Sequence, residues 1–390
     1  MRIPSAPDIA KFLRDHKQTD PTQLRLKLGN DTPYTVVIDH LESLRKHASR
    51  WPRFASSPGC LLPPASNAQQ GSSEATADWK ATFLDEQVGS VKGKTLWDAT
   101  GGSGIDLWSV LRLGARCRTT EPNPKMAALL VHNASSLDYD LEVVVATAEQ
   151  APPDRADIIY CDPSRLVDGQ RTYHPSDCHP NVLKLIPDWR NKSQHILIKL
   201  SPMLDRSEAE RLFPGADLIW LSQRQEVKEL LVWLSPLAKG LVRAVDINDL
   251  GNERYNISIQ PSAALELSPE PLTYLIDPDP VIMASRGVQH IATEFQLRGL
   301  SPHHNLLTTH ELPPEHIPGR VFQVETLGKP HKSEFKKGFT IISRGFPAKA
   351  DALRARFSCA EHDERVLIAS SWGSNTQNFI QCSRIQRNLK

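Results

Sequence analysis

From residue 94 to about residue 223 the chain alternates short apolar runs with stretches of helical period, and this leaves few folds open. KTLWDAT, RCRTTE, LEVVVAT, ADIIYCD, QHILIKLS and ADLIWLS read as strands, with IDLWSVLRLG, PKMAALLVHNASSL and MLDRSEAERLF as helices between them. Apolar strands separated by helices are what a parallel sheet buried on both faces requires. The pattern predicts an α/β chain with a doubly wound sheet. ELLVWLS, LVRAVDI and YNISIQ then arrive with few helices between them, as antiparallel strands would.

The flanking segments have a different texture. APDIAKFLRD and TVVIDHLESLRKHA carry apolar residues at helical spacing, so residues 1–68 are expected to form a helical N-terminal lobe. A loop rich in Pro, Ser, Gly and Gln (56–73) leads into SEATADWKATFLDEQV, a helix with a serine start and Glu74 in its first turn. After a Pro-rich stretch near 261–280 and a helix-like one, the chain ends in a compact β-α-β pattern: FTIISRG, AKADALRARF, ERVLIASSW. At 390 residues the chain is too long for one ordinary core.

Composition excludes several classes. The net charge is +1, so any basic footprint must be local. The six cysteines include no CxxC pair and no cluster with histidine, which argues for reduced thiols in a cytoplasm and against a metal framework. The opening residues have no apolar signal core, and no run is long enough to span a bilayer.

Chemistry concentrates at LWDATGGSGID (96–106), where a strand turns into a helix. Gly101, Gly102 and Gly104 would let the backbone bend and a ligand lie against it at the carboxyl end of the first strand. A nicotinamide dinucleotide fits poorly: GxGxxG begun at Gly102 would need glycine at 107, where the chain has Leu107, and Asp98 would face a pyrophosphate. An acid there suits an ammonium group. Glu121 ends the second strand 23 positions after Asp98, the spacing at which a carboxylate takes ribose hydroxyls. An ammonium, a ribose and no pyrophosphate describe S-adenosyl-L-methionine.

These residues resemble the first motifs of class I, Rossmann-like methyltransferases: DATGGSGID with TTEPNP, followed by DIIYCDPSR (157–165) in place of their Asp-Pro-Pro-type motif. QQGSSEATADWKA, DCHP, IKLSPMLD, EVKELL, YLIDPDPVIMA and PGRVFQV resemble, in order, segments of one bacterial group. That group carries a small ferredoxin-like insert and a C-terminal THUMP-like domain. The resemblance implies four parts: the lobe at 1–68, a catalytic domain at 69–262, a ferredoxin-like domain at 263–317 and a THUMP-like α+β module at 318–390. It implies cofactor contacts from Ser73, Asp98, Gly101, Gly102, Gly104, Asp106, Glu121, Thr147, Ala148 and Glu149. Ala146 and Thr147 stand where an aspartate often holds the adenine amino group, so Glu149 or a backbone contact would replace it. Asp162, Pro163, Arg165 and Lys199 are the expected catalytic residues, and no metal is expected. THUMP modules accompany RNA-modifying enzymes, which implies an RNA substrate.

DPSR lacks the second proline and the aromatic residue of amino-methylating enzymes, so the methylated atom stays open. A non-catalytic RNA-binding protein on this scaffold, or an enzyme acting on a protein or small molecule, are the alternatives. Cys178, in a Pro- and His-rich loop, is read as structural. Between Arg320 and Lys349 seven Lys or Arg face two acids; Lys332, Lys336 and Lys337 are the expected RNA contacts, with Phe335 and Phe339 stacking on bases if exposed.

Overall fold

The computed structural model describes residues 3–29, 32–152, 154–167, 170–373 and 375–386. Two compact units emerge: Met1–Arg224 with Lys228–Leu241 and Ile247–Glu253, and Gln225–Val227 with Val242–Asp246 and Arg254–Lys390. The first gathers the expected helical lobe and most of the expected catalytic domain. The strands β10 (Val242–Ile247) and β11 (Glu253–Ser258), expected at the end of the catalytic part, fall mostly in the second unit.

In the first unit, helices α1 (Ala6–Asp15), α2 (Pro21–Leu28), α3 (Thr35–His47), α4 (Pro52–Ser56) and α5 (Ala65–Gln70) precede the sheet. Then come α6 (Glu74–Val88), β1 (Thr95–Asp98), α7 (Ile105–Arg112), β2 (Arg116–Thr120), α8 (Pro124–Ser136), β3 (Leu141–Val144) and β4 (Ile158–Cys161). A short hairpin, β5 (Leu166–Val167) and β6 (Gln170–Arg171), leads to α9 (Val182–Lys192), β7 (His195–Leu200), α10 (Arg206–Leu212), β8 (Asp217–Gln223) and β9 (Glu226–Leu234). The strand order is β8-β9-β7-β4-β1-β2-β3, with β1, β2, β3, β4 and β7 parallel and β9 antiparallel to β7. From β1 the chain steps outward through β2 to β3, then returns to β4 on the other side of β1. The carboxyl ends of β1 and β4 therefore flank the crevice where such sheets take ligands.

The N-terminal lobe is seated on this sheet by a shared core. Ile9, Phe12, Leu24, Ile38 and Leu41 pack with Met126 and Leu129 of α8. Asn133, 1% exposed, locks the intervening loop: its Oδ1 accepts the Leu61 N–H at 2.8 Å and its Nδ2 donates to the Leu61 carbonyl at 2.9 Å.

The second unit holds a seven-stranded sheet built from β12 (Tyr274–Pro278), β13 (Arg298–Gly299), β14 (Leu307–Thr309), β15 (Gly319–Leu327), β16 (Thr340–Arg344), β17 (Arg365–Trp372) and β18 (Asn375–Arg384). Its order is β13-β14-β12-β15-β18-β17-β16. β16 and β17 are parallel, with Ala350–Phe357 as the helix between them.

Asn133→Ala leaves the N–H and C=O of Leu61 buried without partners, at about 1–3 kcal/mol each. Urea unfolding is expected to show a loss of roughly 2–6 kcal/mol; a change below about 1 kcal/mol would mean the loop is held by its apolar side chains alone.

Candidate active site

A cavity of about 530 Å³ opens at the carboxyl ends of β1 and β4. The glycine turn is folded onto the sheet beside it. A Cβ at residue 101 would stand 2.8 Å from both Thr119 Oγ1 and Leu130 Cδ1, so only glycine fits. Gly102 and Gly104 take left-handed φ values of 52° and 75°, and Gly104 hands the chain directly into α7. The tightness of this turn is thus partly packing and partly a backbone cradle.

Two carboxylates bracket the cradle. Asp98, 2% exposed, accepts the Thr100 N–H at 2.8 Å and the Thr100 hydroxyl at 3.2 Å. Burial, helped by the nearby Asp106 and Asp162, pushes its carboxyl up to about 8. Glu121 at the end of β2 accepts the N–H groups of Gly102 (2.9 Å) and Asn123 (2.8 Å), and burial raises its carboxyl despite those bonds.

Of the residues singled out in the sequence, Asp98, Gly101, Gly102, Gly104, Asp106, Glu121, Thr147, Ala148, Glu149, Asp162, Pro163 and Arg165 all line this cavity. Lys199, 5% exposed on β7, stands behind the wall and pairs with the Asp162 carboxylate. The Asp162 N–H donates to Thr100 Oγ1 at 2.8 Å, which ties the DPSR segment to the turn after β1.

Ser73 is not among the lining residues. Its hydroxyl caps α6 in a reciprocal box with Thr76 and contacts Gln223 at 2.9 Å. Asn67 and Gly71, just before it, reach the cavity instead. The segment is held there by the N-terminal lobe: Trp51 Nε1 donates to the Ser72 carbonyl at 2.7 Å, and Glu74 accepts the N–H groups of Arg53 (3.0 Å) and Phe54 (2.5 Å).

Sequence reasoning missed Tyr160, His179 and Pro180 in the lining, and the buried pair Lys80–Glu229 behind Asp106. A lysine in the helix SEATADWKA and a glutamate in the strand ELLVWL were the available signals, since buried charges at such places must be paired. The DCHP loop is pinned to DPSR by a two-residue bridge, with the Ser164 N–H donating to the His179 carbonyl at 2.7 Å and the reverse bond at 3.0 Å. Cys178 is 2% exposed and its thiol is raised by burial, in keeping with a structural role. All six cysteines are free thiols and buried.

The expected RNA-contact segment lies in the second unit. Lys332 and Lys336 are exposed, while Lys337, also exposed, pairs with Glu334 at 2.8 Å. Phe335 and Phe339 are 4% and 1% exposed in a core with Ile341, Leu353 and Leu367, so stacking of bases on them is ruled out. Arg320 and Arg344 both pair with the buried Asp277, which reduces the free basic excess of this segment. Among the described residues no group of three or more His, Cys, Asp or Glu is placed to hold a metal, and no helix is long and apolar enough to cross a membrane.

Residues 319–384 match a family model described as THUMP domain-like. An uncharacterised S-adenosylmethionine-dependent methyltransferase of Mycobacterium tuberculosis, found in two strains, is 24% identical over 373 residues, 92% of this chain and 98% of the relative. The crystal structure of a candidate methyltransferase from Porphyromonas gingivalis superposes with a TM-score of 0.84 at 22% identity, covering 99% of this chain and all of the other. The chain has the class I methyltransferase fold and is homologous to S-adenosylmethionine-dependent methyltransferases over most of its length.

Asp98 gives the site a pH signature. Its folded carboxyl titrates near 8 against an ordinary value of 3.8, so between these the folded state holds a proton that the unfolded chain has lost. Its contribution is most favourable below pH 4 and is lost as pH rises to about 8. Asp98→Asn is therefore expected to stabilise the protein by a few kcal/mol at pH 8 and by much less at pH 5, read as the difference in urea midpoints. Equal effects at both pH values would mean that Asp98 is ionised in the unliganded protein.

Proposed function

We propose that this S-adenosyl-L-methionine-dependent methyltransferase homologue transfers the methyl group to an RNA base, in the cytoplasm and without a metal. The observation that carries the reading is the pair of buried carboxylates, Asp98 and Glu121, at the ends of adjacent strands on either side of a glycine cradle. The residues suit that cofactor. A buried carboxylate raised to about 8 is stabilised by a cation, and the cofactor carries an ammonium; Glu121 would take the ribose hydroxyls, and Thr147, Ala148 and Glu149 would line the adenine end. Bound, the cofactor supplies a methyl group on a sulfonium, a strong electrophile with a good leaving group.

The chain's own residues do the positioning. Lys199 fixes the Asp162 carboxylate, and Thr100 fixes its backbone, so this acid presents a defined acceptor to a substrate N–H or O–H. The Pro163 carbonyl is a second acceptor on the same wall. Arg165 in the lining can pair with a phosphate or a base edge. RNA as substrate is favoured by the THUMP-like segment and by the exposed Lys332, Lys336 and Lys337. The reading is tested by mass spectrometry of nucleosides from total RNA of cells with and without the gene. Loss of one methylated nucleoside is expected, restored by the wild-type gene and not by one carrying Asp162→Ala. An unchanged nucleoside profile would point to a protein or small-molecule substrate.

Phosphate contacts release counterions, so RNA affinity should fall steeply with salt. Changing Lys332, Lys336 and Lys337 together to Ala is expected to weaken RNA binding and to flatten the slope of log K against log salt by about 2, with cofactor affinity unchanged. An unaltered slope would move the RNA surface away from this helix.

A further inference from the structure

Behind the cavity wall, two of the segments picked out in the sequence meet in one buried cluster. Lys80 of α6 is 2% exposed, and its ammonium pairs with Asp106 Oδ1 at 2.9 Å and Glu229 Oε2 at 2.6 Å. It also donates to the Ser72 hydroxyl at 2.7 Å. That hydroxyl lies 2.9 Å from Asp106 Oδ2 and 3.2 Å from Glu229 Oε1, and the Tyr160 hydroxyl donates to Asp106 Oδ2 at 3.0 Å. Glu229, on β9, is itself 2% exposed. Of this group only Asp106 and Tyr160 reach the cavity.

We propose that Lys80, clamped between Glu229 and Ser72, is a positioning residue that holds Asp106 as a fixed negative charge in the cavity wall, so that of the two aspartates flanking the glycine turn only Asp98 responds to the arrival of a cationic ligand. The inference rests on the cofactor reading above and goes beyond it by giving the two carboxylates different tasks. The geometry separates them: Asp106 faces a lysine, a hydroxyl and a phenol, whereas the bonds of Asp98 come from Thr100.

The groups facing each acid point the same way. Asp98 has Asp106 and Asp162 as charged neighbours, both of its own sign. At Asp106 burial opposes ionisation, but Lys80 and Lys199 outweigh it and the carboxyl is held below its usual range. Lys80 is likewise kept charged by Asp106 and Glu229 against its own burial. Around the Tyr160 hydroxyl lie Asp98, Asp106, Asp162 and Glu229, with Lys80 and Lys199 as the cations of this region. With Asp98 protonated the set carries one net negative charge, and one more appears when Asp98 ionises. A ligand bearing a sulfonium, an ammonium and a carboxylate has a net charge of +1, and its binding at neutral pH would drive a proton off Asp98.

The test has two readouts on the full chain. In unliganded protein, the ¹³C shift of the Asp106 carboxyl is followed against pH in wild type, Lys80→Met and Lys80→Arg. Asp106 is expected to titrate below the usual carboxylate range in wild type, at clearly higher pH in Lys80→Met, and to be restored by Lys80→Arg. In the second readout, calorimetry with S-adenosylmethionine, which carries the sulfonium, in buffers of different ionisation heat counts protons at pH 7. Wild type should release nearly one proton, Lys80→Met more than one with affinity reduced at least tenfold, and Asp98→Asn none. If Lys80→Met does not fold, Ser72→Ala serves, with a smaller upward move of the same resonance. An Asp106 titration unmoved by these changes in folded protein would overturn the proposal. A moved titration with no binding of S-adenosylmethionine would leave the lysine's role standing and remove the cofactor reading instead.

Discussion

A methyl group at position 101 would lie within 2.8 Å of both Leu130 and Thr119, and the rest of the site follows from the absence of that methyl. Because the turn lies flat on β2 and α8, the Gly102 N–H reaches Glu121, while the register of β1 with β4 keeps the ends of these two strands level. The cavity is the space left above this flattened turn. A larger residue would have to displace Thr119 or Leu130 or lift the turn off the sheet.

The parts of this arrangement that were legible in the sequence are those whose cause is local or periodic. Strands of the parallel sheet announce themselves because burial on both faces demands continuous apolar runs. Asp98 and Glu121 could be paired from sequence because consecutive strands in a βαβ unit bring their ends together at a nearly fixed spacing. Lys80 and Glu229 could not, since 149 residues separate them and neither sits in a motif with its own chemistry. The phenylalanines at 335 and 339 misled for a related reason. Alternation with lysines suggests an exposed aromatic row, yet a six-residue helix followed by a strand turns both rings into the same small core. Arg320 and Arg344 counted as free positive charge until the fold brought both onto Asp277.

The N-terminal lobe also has a role that its sequence did not declare. Its helices carry no residue of the expected chemistry, but Trp51, Arg53 and Phe54 grip the backbone and the buried glutamate of residues 72–74. This fixes the start of α6, and with it the wall formed by Asn67 and Gly71 and the lysine nearly two turns further along. The lobe thus sets the position of one side of the cavity.

The pairing of Lys80 with Glu229 has a consequence for the order in which the protein is made. When α6 leaves the ribosome its lysine has Asp106 within reach soon afterwards, but the second carboxylate is 149 residues away in the chain. At synthesis rates of about 5–20 residues per second the wait is roughly 7–30 s. During that interval the helix cannot bury its charge against the strand that will enclose it, because β9 does not yet exist. The N-terminal lobe is delayed too, since its core needs Met126 and Leu129. The full set of partners around Lys80 can therefore assemble only once β9, the antiparallel strand, is in place beside β7.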